Sequence, residues 1–377
     1  MRAVAAVMVL SSHATSLLVP PSAASMPVWN LVRDHLNSGF QLFFVISGFL
    51  IAGPFLRDLI GGAPLPDVRA YTLRRVARIA PAFWVVLIVY VSLTPSVDWR
   101  SVLVHATFTH DLVLHESGAI LPVAWTLGIE AAFYAFVPLA AAAVRAARPR
   151  VSSKELATWI CIAWVMSVAW ELAFSVALHG PYGSAAVSPR DDVLKLFTIS
   201  LPGLFYMFCP GLLVAIWCID GNDRWAIRAH PTALLLSGTT VWLAAAALEG
   251  AIGGALGACI GDQIRGVAFG AVLLGIVSWR RAPGPFLRAA AALGVVSYGV
   301  YLWHWIVIHA LELASGRAAP FAGPLGTPAA VAVALVATLP FAILSWKLVE
   351  SPCLRFAAAV NRRRADQPAV ALGLEIG

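Results

Sequence analysis

Long runs of apolar residues alternate with short polar segments along the whole chain. Each run is close to the ~20 residues that a helix needs to cross a bilayer. The two-residue alternation typical of a membrane β-barrel strand is missing from the pattern. The pattern therefore predicts an all-α membrane protein with about ten transmembrane helices, at roughly 3–19, 38–56, 80–95, 121–144, 156–178, 196–218, 231–248, 262–279, 290–311 and 329–349. The first and third runs are short.

The positions of the basic residues predict how these helices are oriented, because cytoplasmic loops are enriched in Lys and Arg. With the N-terminus inside, only six of the 26 Lys and Arg residues lie on the outer side: Arg33, Arg100, Arg190, Lys195, Arg265 and Arg317. Both termini are expected in the cytoplasm, and the protein in the cytoplasmic (inner) cell membrane. The alternative is a signal peptide cleaved near Ser22–Ser25, which would leave an odd number of spans and reverse the asymmetry.

The composition agrees with a membrane protein and narrows the range of partners. Of 377 residues, 60% are hydrophobic and 12% are charged, and the mean hydropathy is +0.82. The net charge of +7 is explained by basic inner loops that contact anionic lipids of the bilayer, not by nucleic acid. We expect one transmembrane domain over residues 1–352 and a disordered cytoplasmic tail over 353–377. The five scattered cysteines are interpreted as small core residues.

The first apolar run carries two residues that a bilayer disfavours, Arg2 and His13. In an α-helix, eleven positions turn about 1100°, which leaves the two side chains within about 20° of one face. They are displaced by about 16 Å along the helix axis. The arginine is then expected at the membrane surface and the imidazole near the middle. Ionisable groups at that depth are candidates for function.

Four further segments follow in order: GFQLFFVISGFLI from Gly39, RRVARIAPAFW from Arg74, WTLGIEAAFY from Trp125 and SYGVYLWHW from Ser297. Together with the Arg2 and His13 pattern, they resemble the acyltransferase 3 family of integral membrane O-acyltransferases. The resemblance covers nearly the whole chain, from Arg2 to about Pro352. It implies a membrane-embedded acyltransferase and says little about the substrate.

The basic residues at the predicted cytoplasmic side are candidates for binding the phosphates of an acyl-CoA. Arg75 and Arg78 are three positions apart and share a helix face. With Arg2 and Arg74 they would form a basic mouth, because guanidinium groups pair well with phosphate oxygens. The alternative is that these arginines are ordinary anchors of the positive-inside pattern, and for Arg74 the two interpretations are equally favoured.

His13 and Glu130 are the candidate catalytic residues. A neutral imidazole can accept the proton of an attacking hydroxyl, and an acyl-histidine intermediate is chemically possible too. The resemblance implies that His13 is essential without deciding between these mechanisms. Glu130 is expected either to orient His13 or to pair with an arginine. A histidine that serves only helix packing is the alternative for His13.

Aromatic and histidine residues of two later segments are candidates for an acceptor channel: Tyr301, His304, Trp125 and Tyr134. A structural histidine and interfacial aromatic residues are the alternatives. Ser47 beside Gly48 is attributed to helix packing, because no Gly-x-Ser-x-Gly elbow surrounds it.

Two other polar groups are given structural interpretations. Glu350-Ser351-Pro352 is interpreted as the stop of the last helix. An outer loop carries His105, His110, His115, Asp111 and Glu116, but their spacing matches no zinc pattern, so no metal site is expected. No bound cofactor is expected, and acyl-CoA would serve as a co-substrate.

These observations favour a multipass O-acyltransferase that moves an acyl group, expected to be short, from acyl-CoA to a sugar hydroxyl. The acceptor would be a carbohydrate of a cell-surface glycan, a lipid-linked precursor or a glycosylated small molecule. The alternative function is a multipass transporter or exporter of a glycan or acyl-group carrier without transferase chemistry. Discontinuous helices at corresponding positions of two halves would favour the transporter, and the sequence has no internal repeat.

Overall fold

A computed structural model describes residues 1–20, 35–94, 96–177, 189–220, 230–279, 284–316, 319–322 and 325–365. Over these residues the chain is helical and has no β-strand, which confirms the all-α membrane fold class. The helices of the first half are α1 (Arg2–Leu18), α2 (Gly39–Gly61), α3 (Val68–Leu93), α4 (Trp99–Ala106), α5 (Trp125–Ala147) and α6 (Ser153–Ala177).

The second half continues with shorter helices and two long hairpin helices. They are α7 (Pro189–Thr198), α8 (Leu201–Leu204), α9 (Cys209–Ile219), α10 (Pro231–Ile252), α11 (Gly254–Val277), α12 (Pro285–Val295), α13 (Ser297–Ala314), α14 (Gly326–Ser345) and α15 (Ser351–Ala365). Short 3₁₀ turns lie at His110–Leu112, Pro122–Ala124 and Phe205–Met207, and a π-helical turn lies at Trp346–Glu350.

Seven of the described helices are long and apolar enough to cross a membrane, and the number is nine when two bent pairs each count as one span. The bends are 52° before α9 and 70° between α12 and α13. Helix α1 is apolar but has only 17 residues. The tenth span and the cytoplasmic placement of both termini therefore stay predictions.

Helix α3 is longer than the sequence suggested. The apolar run at 80–95 predicted a short third span, whereas α3 has 26 residues and begins at Val68. Asp67 caps its first turn by accepting a hydrogen bond from the Arg69 amide at 2.9 Å. The basic segment that contains Arg75 and Arg78 is therefore helical, as their predicted shared helix face requires.

The structure of residues 346–365 differs from two predictions. Glu350-Ser351-Pro352 does not stop the helix, because α14 passes through a π-helical turn, Trp346–Glu350, directly into α15. In this turn the Ser351 amide donates to the Trp346 carbonyl, five residues back, so the backbone just before Pro352 departs from the four-residue pattern that a proline ring disrupts. Residues 353–365 are helical and not disordered, and Asn361 donates a hydrogen bond to the Ala70 carbonyl at 3.3 Å. The rest of the predicted tail lies outside the described residues.

Arg265, which the sequence analysis counts with the outer side, is paired inside the protein. It lies inside α11, where its guanidinium contacts Asp262 at 2.6 Å and Glu249 at 2.5 Å. The Tyr206 hydroxyl donates to the second oxygen of Asp262 at 2.9 Å. A charge taken into an apolar helix bundle is tolerated when it is paired in this way. Arg265 therefore carries no information about orientation.

Helix α2 is the centre of the bundle and packs against α1, α5, α9 and α11. Of its apolar stretch 67% is buried, against 11% for α10 at the periphery. A Cβ on Gly48 would collide with the Phe208 carbonyl, and one on Gly211 would collide with the Val45 carbonyl. The two backbones therefore touch, which is the close approach that small residues permit between membrane helices.

This close approach predicts different effects for two glycines of α2. Gly48→Ala should lower the unfolding temperature of the detergent-solubilised protein, because overpacking typically costs about 1–3 kcal/mol. Gly53→Ala is the matched control, since nothing lies within 4 Å of the Cβ it would gain, and alanine has the higher helix propensity. Tryptophan fluorescence during heating gives both temperatures. Equal temperatures for the two variants would contradict the backbone contact.

Candidate active site

A small cavity lies where α1, α2, α3, α5 and α13 meet. Its volume is about 50 Å³. Two arginines, Arg2 and Arg78, form part of its wall, and the wall also contains Ser47, Glu130, Tyr134 and Tyr301. These residues come from five helices, so the site exists only when the bundle is assembled.

Arg78 is fixed in the cavity wall by contacts on several sides. Its guanidinium forms an ion pair with Glu350 at 3.2 Å, and the side chains are only 16% and 1% exposed. It also lies 5.7 Å from the ring centres of both Tyr298 and Trp346. The ion pair joins α3 to the π-turn after α14. Glu350 therefore holds Arg78, a residue predicted to bind phosphate, in place. Sequence reasoning missed this role, although a lone carboxylate in the last apolar run was a signal for it.

Arg75 lies beside the cavity and not on its wall. Its guanidinium carbon is 5.4 Å from the centre of the Tyr71 ring and 5.7 Å from the centre of the Tyr134 ring. Tyr134 does line the cavity. The structure therefore brings Arg2 and Arg78 together on the cavity wall and places Arg75 behind Tyr134.

Glu130 has neither of the partners that the sequence suggested. Among the described residues its hydrogen bonds come from the Ser47 and Tyr134 hydroxyls, each at 2.7 Å, and both reach the same oxygen. Neither His13 nor an arginine contacts it. The Ser47 hydroxyl thus has a polar role on the cavity wall, while its neighbour Gly48 serves packing as expected.

His13 forms a hydrogen bond with His304, between Nδ1 and Nε2 respectively, at 2.9 Å. The other nitrogen of His304 lies 3.2 Å from the Val300 carbonyl. Because a carbonyl can only accept, the proton of a neutral His304 is on Nδ1, and its Nε2 accepts. His13 then donates from Nδ1 and keeps a lone pair on Nε2. Among the described residues, no hydrogen bond engages that lone pair.

Tyr301 lies between the cavity and this histidine pair. Its ring centre is 5.8 Å from that of His304, and its hydroxyl donates to the Val123 carbonyl at 2.7 Å. The Thr126 hydroxyl lies 2.5 Å from the Tyr301 hydroxyl oxygen. Two bonds at the far end of the ring therefore hold it in one orientation. Thr126 is a wall residue that sequence reasoning missed.

The four residues predicted to form an acceptor channel do not line one continuous surface. Tyr301 and Tyr134 are on the cavity wall, whereas His304 is completely buried against His13. Trp125 packs edge-on against Phe40 at 5.1 Å and Phe44 at 6.3 Å. It supports two wall residues from behind.

Two of the histidines that the sequence predicts in an outer loop, His105 and His110, form a separate buried cluster. The rings of His105 and His110 are stacked at 4.4 Å, and His110 lies 3.6 Å from Asp111. Burial raises the pKa of the Asp111 carboxyl to about 8 and lowers the pKa of the His110 imidazole to about 4. Both groups are therefore uncharged at neutral pH. Over the part of the chain that the structure describes, no three His, Cys, Asp or Glu side chains are placed to hold a metal ion.

Comparison with known proteins identifies the family of this chain. The acyltransferase domain that defines the acyltransferase 3 family matches residues 1–347. The chain is 25% identical over 358 residues to nodulation protein 10 of Rhizobium leguminosarum bv. viciae, with 86% of this chain and 84% of that protein covered. No solved structure matches this chain. With a match that spans nearly the whole helical bundle, the chain belongs to the acyltransferase 3 family, and it is a multipass membrane acyltransferase.

Proposed function

We propose that this membrane acyltransferase moves an acyl group from acyl-CoA to a hydroxyl group of a carbohydrate. One observation carries the proposal: the hydrogen bond to His304 leaves His13 with a free lone pair on Nε2. An imidazole in this state is a suitable general base for a hydroxyl nucleophile. The family supports acyl transfer, and the free base supports a hydroxyl acceptor.

The donor site is proposed at the cavity wall that contains Arg2 and Arg78. Arginine presents a planar set of donors that matches phosphate oxygens, and acyl-CoA carries several phosphates. Arg2 precedes His13 by eleven residues of α1, which is about 16 Å along the axis. An extended pantetheine arm has a comparable length, so phosphates held near Arg2 would place the thioester in the region of His13.

The transfer step follows from the protonation states of the two histidines. The acceptor hydroxyl loses its proton to Nε2 of His13 while its oxygen forms a bond to the thioester carbon. The carbon–sulfur bond breaks, and the sulfur of CoA receives the proton back from His13. His304 and the Val300 carbonyl hold the His13 ring in one tautomer throughout, as an orienting group does in a hydrolase triad. Transfer through an acyl-histidine is the alternative route, in which Nε2 itself attacks the thioester.

The acceptor class is proposed from the chemistry of the base. A sugar hydroxyl is only weakly acidic, so it needs a positioned base to become a nucleophile. A cell-surface glycan, a lipid-linked precursor and a glycosylated small molecule all meet this description. We propose the cytoplasmic cell membrane as the location, because acyl-CoA is then available at the Arg2 end of α1.

Replacing His13 tests the proposed base. His13→Ala should reduce transfer of labelled acetyl from acetyl-CoA in membranes by about 10²–10⁴-fold, the usual contribution of a general base. His304→Ala should reduce it less, because it removes the orientation of the base and not the base itself. His309→Ala is the control, since His309 is exposed and pairs with Glu312 at the far end of α13. Full transfer by an expressed His13→Ala protein would rule out both the base and the acyl-histidine routes.

Replacing Arg78 tests the donor site. Arg78→Lys keeps a cation beside Glu350 but loses the forked donors, so the apparent KM for acetyl-CoA should rise about tenfold while kcat changes little. Arg74→Lys is the matched control, because Arg74 is exposed on the same helix. Initial rates against acetyl-CoA concentration give both constants. An unchanged KM in Arg78→Lys would leave Arg78 as a purely structural partner of Glu350.

A further inference from the structure

A groove lies between α5 and α6, although only the residues 148–152 connect these two helices. Helices joined by so short a connection typically pack together as an antiparallel hairpin. Here they have different neighbours, because α5 packs against α2 while α6 packs against α9 and α11. The groove follows α5 from Phe133 to Val144, which is about 16 Å along the helix axis.

The wall of the groove consists of hydrocarbon and aromatic side chains. Small residues make room for it on three helices, at Ala52, Ala140 and Ala163. Phe136 and Trp159 belong to the same wall and are 40% and 36% exposed, so the groove opens to the side of the bundle. Apolar spaces of this kind do not hold water, and beside a membrane helix the surrounding phase is lipid. A hydrocarbon chain is therefore the occupant that suits the wall.

Arginines lie at one end of the groove, the end that the positions of the basic residues predict to be cytoplasmic. The guanidinium carbon of Arg148 is 5.9 Å from the ring centre of Trp159, a wall residue. Arg145 and Arg150 each donate to a backbone carbonyl next to the wall residue Leu59, at 2.6 and 2.8 Å. The apolar groove thus ends among cations.

The charge at this end is positive overall. Residues 145–155 contain four basic side chains and one acidic side chain, which is a net charge of +3. The acidic residue, Glu155, pairs with Arg148 at 2.7 Å, but the two side chains are 42% and 54% exposed. An exposed ion pair contributes little free energy, so an anionic group can compete with Glu155 for Arg148.

We propose that this groove binds one anionic phospholipid of the inner leaflet, with an acyl chain between α5 and α6 and the headgroup phosphate at Arg148. The groove is about 16 Å long, and one leaflet is half of a hydrocarbon core about 30 Å thick. Basic sites between membrane helices at the cytoplasmic side suit anionic headgroups.

The bound lipid has a structural role. It fills the space between α5 and α6, and a ligand that binds only the folded protein stabilises it. Among the described residues, the wall of the groove shares none with the catalytic cavity. The inference therefore does not rest on the proposed function.

Native mass spectrometry of the full-length protein in a mild detergent tests the site. The unmodified protein should retain one phospholipid, identified by its mass after release. After removal of lipid, phosphatidylglycerol should bind at least about fivefold more tightly than phosphatidylcholine, the effect of one basic residue near an anionic headgroup. Phosphatidylglycerol should also raise the unfolding temperature of the delipidated protein.

Filling the groove should remove the lipid. Ala140→Phe places a ring between α5 and α6, so it should abolish both the retained phospholipid and the rise in unfolding temperature. Ala142→Phe is the matched control, because Ala142 is exposed and lies about 200° around the same helix. If Ala140→Phe does not accumulate, Ala163→Leu makes the same test from α6.

Replacing the cation should remove the headgroup preference and leave the chain site intact. Arg148→Gln should reduce the preference for phosphatidylglycerol to less than about twofold, with unchanged binding of phosphatidylcholine. Arg100→Gln is the control, because Arg100 is also exposed and lies 5.7 Å from a tryptophan ring, that of Trp99. It should keep the full preference.

Each contrary result has a distinct meaning. A dimer without lipid would make the groove an interface between two copies and would overturn the lipid site. A lipid-linked saccharide in place of a phospholipid would overturn the choice of occupant. Equal lipid retention by Ala140→Phe and the unmodified protein would place the lipid elsewhere. Equal binding of the two phospholipids would overturn the role of Arg148.

Discussion

Every polar side chain that enters a bilayer has to find its partner inside the protein, and this requirement shapes the whole site. The ion pair between Arg78 and Glu350 is the clearest case. Both side chains are largely buried, and the pair ties α3 to the π-turn that follows α14. The same turn carries the backbone past Pro352 without ending the helix. One satisfied charge thus fixes both a wall of the cavity and the course of the last long helix.

The same requirement decides the chemistry of the histidines. His304 is fully buried and has two neighbours, the Val300 carbonyl and His13. A buried ring with these partners has one arrangement of protons that satisfies both, and that arrangement leaves the lone pair of His13 free. Glu130 illustrates the opposite outcome. Its hydrogen bonds come from two hydroxyls, so it contributes polarity to the cavity wall and does not orient His13.

Close packing supplies the rest of the site. Helix α2 contacts its neighbours through Gly48 and presents Phe40, Phe43, Phe44 and Ser47 toward the cavity. Because the backbone contact at Gly48 leaves no freedom to shift, those side chains hold their places. Arg2, Arg78 and the aromatic residues therefore share one cavity, and the pair of His13 and His304 lies beside it, next to Tyr301.

The sequence by itself determined the helical class, most helix positions, the family and the shared face of Arg2 and His13. These features are local: they depend on the length of apolar runs, on the 3.6-residue period and on short motifs. Only the tertiary structure decided which polar groups meet. His13 and His304 are 291 positions apart, and Arg78 and Glu350 are 272 apart. Periodicity places a side chain on a helix face, but it carries no information about which other helix that face will contact. For that reason the sequence could name His13 as a candidate base but not its partner His304, and it offered Glu130 a place beside His13 or an arginine where the structure has Ser47 and Tyr134.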